Sequence, residues 1–425
     1  MEKQTINTFV MTKMSILANI SSPSGKTIAV RVTPAAERAI RDGHPWLFAD
    51  SIRKQSHDGK AGDLAVIFDR KGRFLAIGLY DPTSPIRVRI LQQGQPTTIN
   101  QSWFASRLGD AARLRAPILT THTNGYRLVH GENDRLPGLI VDRYDDTLVL
   151  KLYTLAWVPH LNSFLEALLA HSKAKRIVLR LSRLIQDSTK AAFNLADGDV
   201  LIGPSLNDAV GFLENGLSFE ADVIHGQKTG FFLDQRDNRM RVENLAAGRT
   251  VLNVFAYTGA FSLYAARGGA NQIVSLDLSR PALAAANRNF QRNQAVKAIR
   301  TTKHERLQGD AFALLKRLAT QGSRFDMVIL DPPAFARRQS EVARALEAYY
   351  RLTTLGLRVL QRDGILVSAS CSSKVPLEDF FRMVQKAVAD ENRPLFEIER
   401  TGHPIDHPIG FREGAYLKCL FGRVA

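Results

Sequence analysis

From Thr250 to Ser373 the chain repeats one unit, an apolar strand-like run followed by an amphipathic helix-like run. That alternation implies right-handed crossovers between parallel strands, and hence a doubly wound sheet. The end of the chain breaks the rule. Phe396-Glu397-Ile398-Glu399-Arg400 and Tyr416-Leu417-Lys418-Cys419-Leu420-Phe421 are separated by a Pro/His/Gly-rich connection with no helix. Neighbouring strands joined without a crossover helix pair antiparallel. The expected fold is therefore an α/β Rossmann-like parallel sheet closed by an antiparallel last strand.

In an open parallel sheet the carboxyl ends of adjacent strands face one crevice, and ligands bind there. Phe325-Asp326-Met327-Val328-Ile329-Leu330 ends at Asp331-Pro332-Pro333, and Ile365-Leu366-Val367-Ser368-Ala369-Ser370 ends at Cys371. An Asp and a Cys are thus expected side by side. Upstream, Val251 to Phe261 reads as strand, turn and helix start, which makes Asn253, Phe255, Ala256, Tyr257, Thr258 and Gly259 candidates for cofactor binding. A pyrophosphate needs several glycines so that it can sit on bare backbone. Gly259 is the single glycine of this turn, which disfavours a dinucleotide and a nicotinamide oxidoreductase and suits a compact zwitterion such as the methionine part of S-adenosyl-L-methionine. Asp277 follows Gly259 by 18 residues at a strand end, where an acid accepts hydrogen bonds from ribose hydroxyls. Asp310, after the third strand, is the candidate for the adenine amino group. Helix capping by Asp277 and a surface turn at Asp310 are the competing explanations. A parallel sheet with this closing hairpin is typical of Rossmann-like methyltransferases rather than dehydrogenases.

A cysteine at that crevice suggests pyrimidine chemistry. Carbon-5 of a pyrimidine is a weak nucleophile until a thiolate adds at carbon-6, and covalent catalysis of this kind splits one hard step into easier ones. Cys371 is the candidate nucleophile, and Lys374 is placed to lower the thiol pKa if it points inward. Asp331 is expected to hydrogen-bond the base edge, with Pro332 and Pro333 stiffening the loop. Phe335 is expected to stack on an extruded base, and Arg337 and Arg338 to hold its phosphates. The plainer alternatives are a small core residue for Cys371, the class to which Cys419 is assigned, and a solvated helix start for Arg337 and Arg338. Lys228, Thr229, Gly230, Asp234, Gln235 and Arg236 read as a loop over the pocket, and Gln235 joins the cofactor candidates.

Residues 1–25 read as a disordered tail without a secretory segment, with a second start at Met14. Residues 26–98 are short-stranded and basic, with twelve Lys or Arg against seven Asp or Glu, as in an RNA-docking module. In it, Ile86-Arg87-Val88-Arg89-Ile90-Leu91 alternates as a half-buried strand with a basic outer face. Residues 101–204 form an α+β module in which Gly131 to Gly138 reads as turn chemistry. Residues 205–425, opened by an Asn215-Gly216 hairpin, form the last unit. A formal charge of +16 attracts polyanions, and a generally basic surface with no ligand accounts for it equally well. No apolar run reaches the roughly 18 residues of a membrane span. Two cysteines argue against a disulfide framework and a structural zinc site, so no metal is expected and the compartment is read as cytoplasmic.

Taken together the motifs resemble the ribosomal large subunit methyltransferase I family, which makes 5-methylcytosine in 23S rRNA. They are Gly43-His44-Pro45-Trp46, Gly131-Glu132-Asn133-Asp134-Arg135-Leu136-Pro137-Gly138-Leu139, Lys228 to Arg236, Phe255 to Phe261, Asp331-Pro332-Pro333, Ser370-Cys371-Ser372, and Asp406-His407-Pro408 with Glu413 to Lys418. The resemblance implies an N-terminal PUA-like domain for RNA, a central α+β module, a C-terminal S-adenosylmethionine-dependent methyltransferase domain and Cys371 as nucleophile. It also implies 23S rRNA or the large ribosomal subunit as partner; a monomer and a homodimer are both compatible with it. The sequence departs from other RNA 5-methylcytosine enzymes in having no second cysteine beside Asp331-Pro332-Pro333, which leaves the proton acceptor at carbon-5 unassigned. An exocyclic-amine or other RNA base methyltransferase, and a non-catalytic RNA-binding ribosome assembly factor, are the rival readings.

Overall fold

The computed structural model describes residue 20 and residues 22–425, so most of the expected tail, Met14 included, lies outside the described residues. The chain divides into two compact units. One comprises residues up to Gly216 with Ala221–Leu233 and Ile405–Phe411; the other comprises Leu217–Glu220, Asp234–Pro404 and Arg412–Ala425.

The first unit holds two sheets. Six strands lie in the order Trp46–Phe48, Ile86–Gln93, Phe74–Tyr80, Leu64–Phe68, Thr27–Val32, Ile52–Gln55. The Leu64–Phe68 and Phe74–Tyr80 pair is the antiparallel hairpin that Asp69 to Gly72 foretells. A helix at Pro34–Arg41 interrupts the β-like reading. Its sequence signal is Thr33-Pro34: the threonine hydroxyl accepts from Ala36 N at 3.3 Å, and proline suits the first helical turn. Arg89 corrects the expected basic outer face. It is buried at 6% exposure, donates to Ile86 O and has its pKa lowered by burial. Arg87 turns back onto the carbonyl oxygens of Asp81 and Pro82.

The second sheet runs Val200–Ile202, Arg176–Leu181, Thr147–Leu152, Leu139–Tyr144, Gly125–His130, with helices Gln101–Leu119 and Leu161–Ser172 packed together. The first of these helices starts at Gln101 because Asn100 caps it, accepting from Trp103 N at 3.0 Å. Pro159 delays the second, leaving a 3-10 turn at Leu155–His160. A buried charge network ties this module together. Arg115 donates to both carboxylate oxygens of Asp134 at 2.7 and 2.6 Å and to Asp406 O at 3.0 Å. Asp406 Oδ2 accepts from Arg127 N at 3.0 Å, while the Arg127 guanidinium pairs with Asp142 at 2.7 and 2.9 Å. Thr229 Oγ1 donates to Asp142 Oδ2 at 2.5 Å, and Lys228 to Gly230 belong to this unit while Asp234 to Arg236 belong to the other. Paired, hydrogen-bonded charges of this kind fix geometry more than they add stability. Beside the network lies a cavity of about 450 Å³, with Pro45, Gln92, Gln93, Asn133, Arg135 and Phe411 among its lining residues.

The second unit is a seven-stranded sheet. Its strands are β1 (Thr250–Val254), β2 (Gln272–Asp277), β3 (Lys303–Gln308), β4 (Phe325–Leu330), β5 (Leu360–Ser370), β6 (Leu395–Thr401) and β7 (Lys418–Val424). They lie in the order 3-2-1-4-5-7-6, parallel from β3 to β5, with β7 antiparallel to both β5 and β6. Helices α1 (Ala260–Arg267), α2 (Arg280–Arg292), α3 (Ala311–Thr320), α4 (Val342–Arg358) and α5 (Leu377–Asp390) alternate with the strands. The strand order reverses between β1 and β4, so their carboxyl ends open the crevice where such sheets bind ligands.

Candidate active site

The turn leaving β1 is bent beyond what its residues prefer. Phe255, Tyr257 and Gly259 have φ of 62°, 47° and 74°, three left-handed conformations in five residues. Two of them are not glycine, and such conformations cost about 1 kcal/mol or more each, which marks functional sites more often than it marks scaffolds. Gly259 has no alternative: a Cβ there would stand 2.7 Å from Ala286 Cβ on α2. Ala256 N donates to Leu276 O at 2.9 Å, Gly259 N to Ala256 O at 2.8 Å, and Thr258 O accepts from Asn289 Nδ2 at 2.9 Å. Asn253 lies under the turn, its Nδ2 donating to Ser262 Oγ at 2.9 Å; Ser262 meets Ser275, which meets His304. Burial, seconded by Arg306, pulls His304 down to about 4, so this ring is neutral at physiological pH. Two buried oxygens at the turn, Asn253 Oδ1 and Thr258 Oγ1, have no hydrogen-bond partner among the described residues.

Asp277 is not a helix cap. Its Oδ2 accepts from Tyr257 N at 2.8 Å and its Oδ1 from Ser279 N at 2.8 Å, while Ser279 itself caps α2. The carboxylate therefore anchors the strained turn and stays half-buried at the crevice. Leu278, next to it, is 70% exposed, an apolar surface that sequence reading passed over. Asp310 is exposed and caps α3, its Oδ1 accepting from Ala313 N at 2.9 Å.

The parallel register of β4 and β5, with Leu330 opposite Ser368, brings Asp331 and Cys371 to one end of the sheet. Cys371 Sγ lies 3.9 Å from Pro332 O and is half-buried. Asp331 Oδ1 accepts from Gln235 Nε2 at 2.9 Å; Gln235 Oε1 accepts from Asn238 Nδ2 at 2.6 Å; Asn238 Oδ1 accepts from Thr401 Oγ1 at 2.6 Å. This relay fixes which face Gln235 presents to the carboxylate. The two crevice loops are also stitched together, since Ser372 Oγ accepts from Phe335 N at 3.1 Å and Ala336 N at 3.4 Å. Tyr349 on α4 completes the stitch, its hydroxyl meeting Ser370 Oγ and Ser372 Oγ at 2.8 Å each. Burial raises the Tyr349 pKa, and the nearby Cys371 adds to the rise.

Phe335 is half-buried against Tyr349, ring centroids 4.8 Å apart. Pro332 is buried and Pro333 exposed. Arg337 and Arg338 sit at a helix start, their backbone amides donating to Glu341 Oε2 at 2.7 and 3.1 Å, with both residues exposed. Lys374 is exposed too, so it does not face the thiol from within. The buried lysine of this region is Lys418, the first residue of β7. It is 3% exposed, donates to Ser372 O at 2.8 Å and Val375 O at 2.7 Å, and is lowered to about 8 by burial, with Cys371 opposing. Cys419, beside it, is fully buried, and burial raises its pKa well above the usual thiol value. Tyr349, Asn238 and Lys418 are not assigned to the site by the sequence, although Lys418 closes the Glu413 to Lys418 motif, because register and tertiary hydrogen bonds, not local pattern, bring them here.

A family model for S-adenosylmethionine-dependent methyltransferases matches residues 169–423, and one for a PUA-like domain matches residues 30–93. With the 3-2-1-4-5-7-6 sheet, these matches define the class: an S-adenosylmethionine-dependent methyltransferase carrying an N-terminal PUA-like domain. A Deinococcus radiodurans protein named ribosomal RNA large subunit methyltransferase is 49% identical over 403 residues, covering 94% of this chain and 98% of its own. A Pseudoalteromonas translucida ribosomal RNA large subunit methyltransferase I is 34% identical over 401 residues, covering 94% and 100%. The chain belongs to the ribosomal RNA large subunit methyltransferase I family. A solved Streptococcus mutans structure described as a SAM-dependent methyltransferase has a TM-score of 0.77 at 22% identity, covering 93% of this chain and 99% of that one. A methyltransferase structure complexed with SAH gives a TM-score of 0.78 with the same identity and coverage. At that identity the likeness bears on fold alone.

Proposed function

We propose that the chain methylates carbon-5 of a cytosine in large-subunit (23S) ribosomal RNA through a covalent Cys371 adduct at carbon-6. The observation that carries this reading is the half-buried Cys371 thiol at the β5 end, 3.9 Å from the carbonyl of Pro332 and beside Asp331.

The residues present fit S-adenosylmethionine. The turn from Phe255 to Gly259 admits no Cβ at its glycine, Asn253 and Thr258 carry buried oxygens left without a partner among the described residues, and Asp277 offers acceptors at the neighbouring strand end. Asp277 would hold the ribose, Leu278 would cover the adenine, and Asp310 would take the adenine amino group. When bound, the cofactor supplies an electrophilic methyl group on a sulfonium. The protein's part is on the base. The Cys371 thiolate bonds carbon-6 and shifts electron density to carbon-5. Once carbon-5 carries its new methyl, its proton passes to solvent water, the C–H electrons re-form the C5–C6 double bond, the Sγ–C6 bond breaks and the thiolate returns. Asp331, oriented by Gln235, accepts from the exocyclic amine of the base and holds its edge. Phe335, backed by Tyr349, offers a stacking surface, and the exposed Arg337 and Arg338 offer phosphate contacts.

RNA recognition falls to the first unit in this reading, with residues 26–98 as the docking module, 101–204 as its partner and 205–425 as the catalytic domain. Its cavity supports the assignment: Gln92, Gln93 and Asn133 present hydrogen-bonding groups, Arg135 a cation and Phe411 an aromatic face, the mix that reads an unstacked nucleotide. Methyl transfer from labelled cofactor to unmodified 23S rRNA, followed by mapping of the product base, tests the whole scheme. The expected result is 5-methylcytosine with wild-type protein and none with Cys371→Ala. Full activity of Cys371→Ala, or a product methylated on the exocyclic amine, refutes the mechanism; RNA binding without transfer refutes the activity.

A further inference from the structure

We infer that Lys418 is a positioning residue that holds Cys371 as its thiolate, the buried ammonium and the sulfur forming the ion pair that primes the nucleophile. This rests on Cys371 being the attacking group.

The geometry comes from sheet register. In the antiparallel β5/β7 pair Lys418 stands opposite Ser370, the residue before Cys371. Its ammonium reaches past the strand end and donates to the carbonyls of Ser372 and Val375, at 2.8 and 2.7 Å, inside the turn that begins at the cysteine. Both acceptors are neutral. Lys418 is 3% exposed and pairs with no carboxylate among the described residues. An ammonium taken out of water without a counter-ion is costly, and proteins avoid it by pairing the charge or losing the proton. Burial does pull the Lys418 pKa down, and the group that opposes the pull is Cys371.

Electrostatic coupling is reciprocal: if a thiolate favours the ammonium, the ammonium favours the thiolate by the same free energy. Four further titratable groups stand around the pair. Tyr349 from α4 is held neutral by burial, Asp331 ends β4 as an acid, Lys374 in the cysteine's own loop is exposed, and Cys419 beside Lys418 is fully buried. A purely structural Lys418, stapling the 372–375 turn, would have no reason to govern thiol ionisation, and this separates the two roles.

The test is the pH dependence of Cys371 alkylation by iodoacetamide in the full-length protein, read by peptide mass mapping; the buried Cys419 is silent on this timescale. The wild-type midpoint is expected about one unit or more below the ordinary thiol value near 8.5. In Lys418→Met it is expected to rise by about one unit or more, slowing alkylation at pH 7 by about tenfold, with S-adenosylmethionine affinity retained. A wild-type midpoint at or above the ordinary value overturns the inference without any variant, which covers the case of Lys418→Met failing to fold. An unchanged midpoint in folded Lys418→Met overturns it as well. The nucleophile reading fails separately: active Cys371→Ala sinks that reading and leaves the alkylation result standing. Inactive Cys371→Ala with an ordinary wild-type midpoint sinks only the role of Lys418.

Discussion

Replacing one atom in the relay behind Asp331 should make the enzyme's activity depend on pH in a way the natural protein's does not. Gln235 is buried, and Asn238 donates to its Oε1, so its Nε2 is the atom committed to Asp331 at 2.9 Å. Gln235→Glu keeps the shape and puts an oxygen where that donor was. Two ionised carboxylates about 4 Å apart repel by about 4 kcal/mol at an effective dielectric of 20, equivalent to about 3 pKa units. Asp331 is half-exposed, and solvent screening reduces this to about 1–2 units. The pair therefore keeps one proton up to about pH 6, well above the ordinary range near 4 for carboxyl groups. With that proton in place the new O–H donates to Asp331 much as the amide does. As pH rises through the raised value the proton is lost, the carboxylates repel and the loop carrying Asp331 is displaced. The amide of the natural protein does not titrate here. The ratio of variant to wild-type single-turnover rate should then fall about tenfold between pH 5.5 and 7.5, and the variant's Tm should fall between about pH 4 and pH 6 and level off above it. Ionisation of Cys371 affects both proteins and cancels in the ratio. Gln235→Leu should lose activity by a factor that does not vary with pH. A flat ratio for Gln235→Glu, or one that climbs with pH, would show that Asp331 and Gln235 do not act as a pair.

Gly259→Ala combines a left-handed φ of 74° with a Cβ 2.7 Å from Ala286 Cβ. Its expected cost is about 2–4 kcal/mol in urea unfolding, and calorimetry should show S-adenosylmethionine binding weakened more than tenfold. Phe411→Ala removes the aromatic face of the cavity in the first unit. Loss of one stacked base is worth about 1–3 kcal/mol, so affinity for a 23S rRNA fragment should drop about fivefold or more while cofactor affinity holds; unchanged RNA affinity would remove the cavity from the binding surface.

How far the sequence could be read depended on whether the information was local. The sheet from β1 to β5 was legible because strand and helix periodicities are written in adjacent residues. The antiparallel close followed from one missing helix. Asp331 and Cys371 could be placed together because parallel strands share a carboxyl end, a rule that needs no coordinates. Arg89 went the other way. Alternation along Ile86 to Leu91 points it outward, yet Glu132 and Asp81 face its buried guanidinium, an arrangement set by residues that lie outside the strand's own pattern. Gly131 to Gly138 reads as turn chemistry, and it does turn, with Arg135 left-handed at φ 60°. The turn also works as a clamp: Glu132 Oε1 accepts from Trp46 Nε1 at 2.9 Å and Gly138 N at 3.1 Å, while Asp134 takes Arg115. A motif that looks like backbone punctuation thus carries the acids that join segments distant in the chain.

The same reasoning explains why the lysine beside the cysteine was misjudged. Sequence proximity favoured Lys374, three residues on, but a side chain following a strand end is free to turn into solvent, and this one does. Lys418 is 47 residues away, and its approach is fixed by seven consecutive β5/β7 pairings that leave its stem no route to the surface. A strand register is a stricter constraint than a short loop, because slipping it by one residue would reverse every side chain of β7, a strand buried on both faces, and break its packing on each. For a group that must hold a charge at one point inside a protein, a strand is accordingly the better mount. The hydrogen bonds of Ser370 and Ser372 to Tyr349 fix the chain on either side of Cys371, and the distant strand supplies the fixed cation.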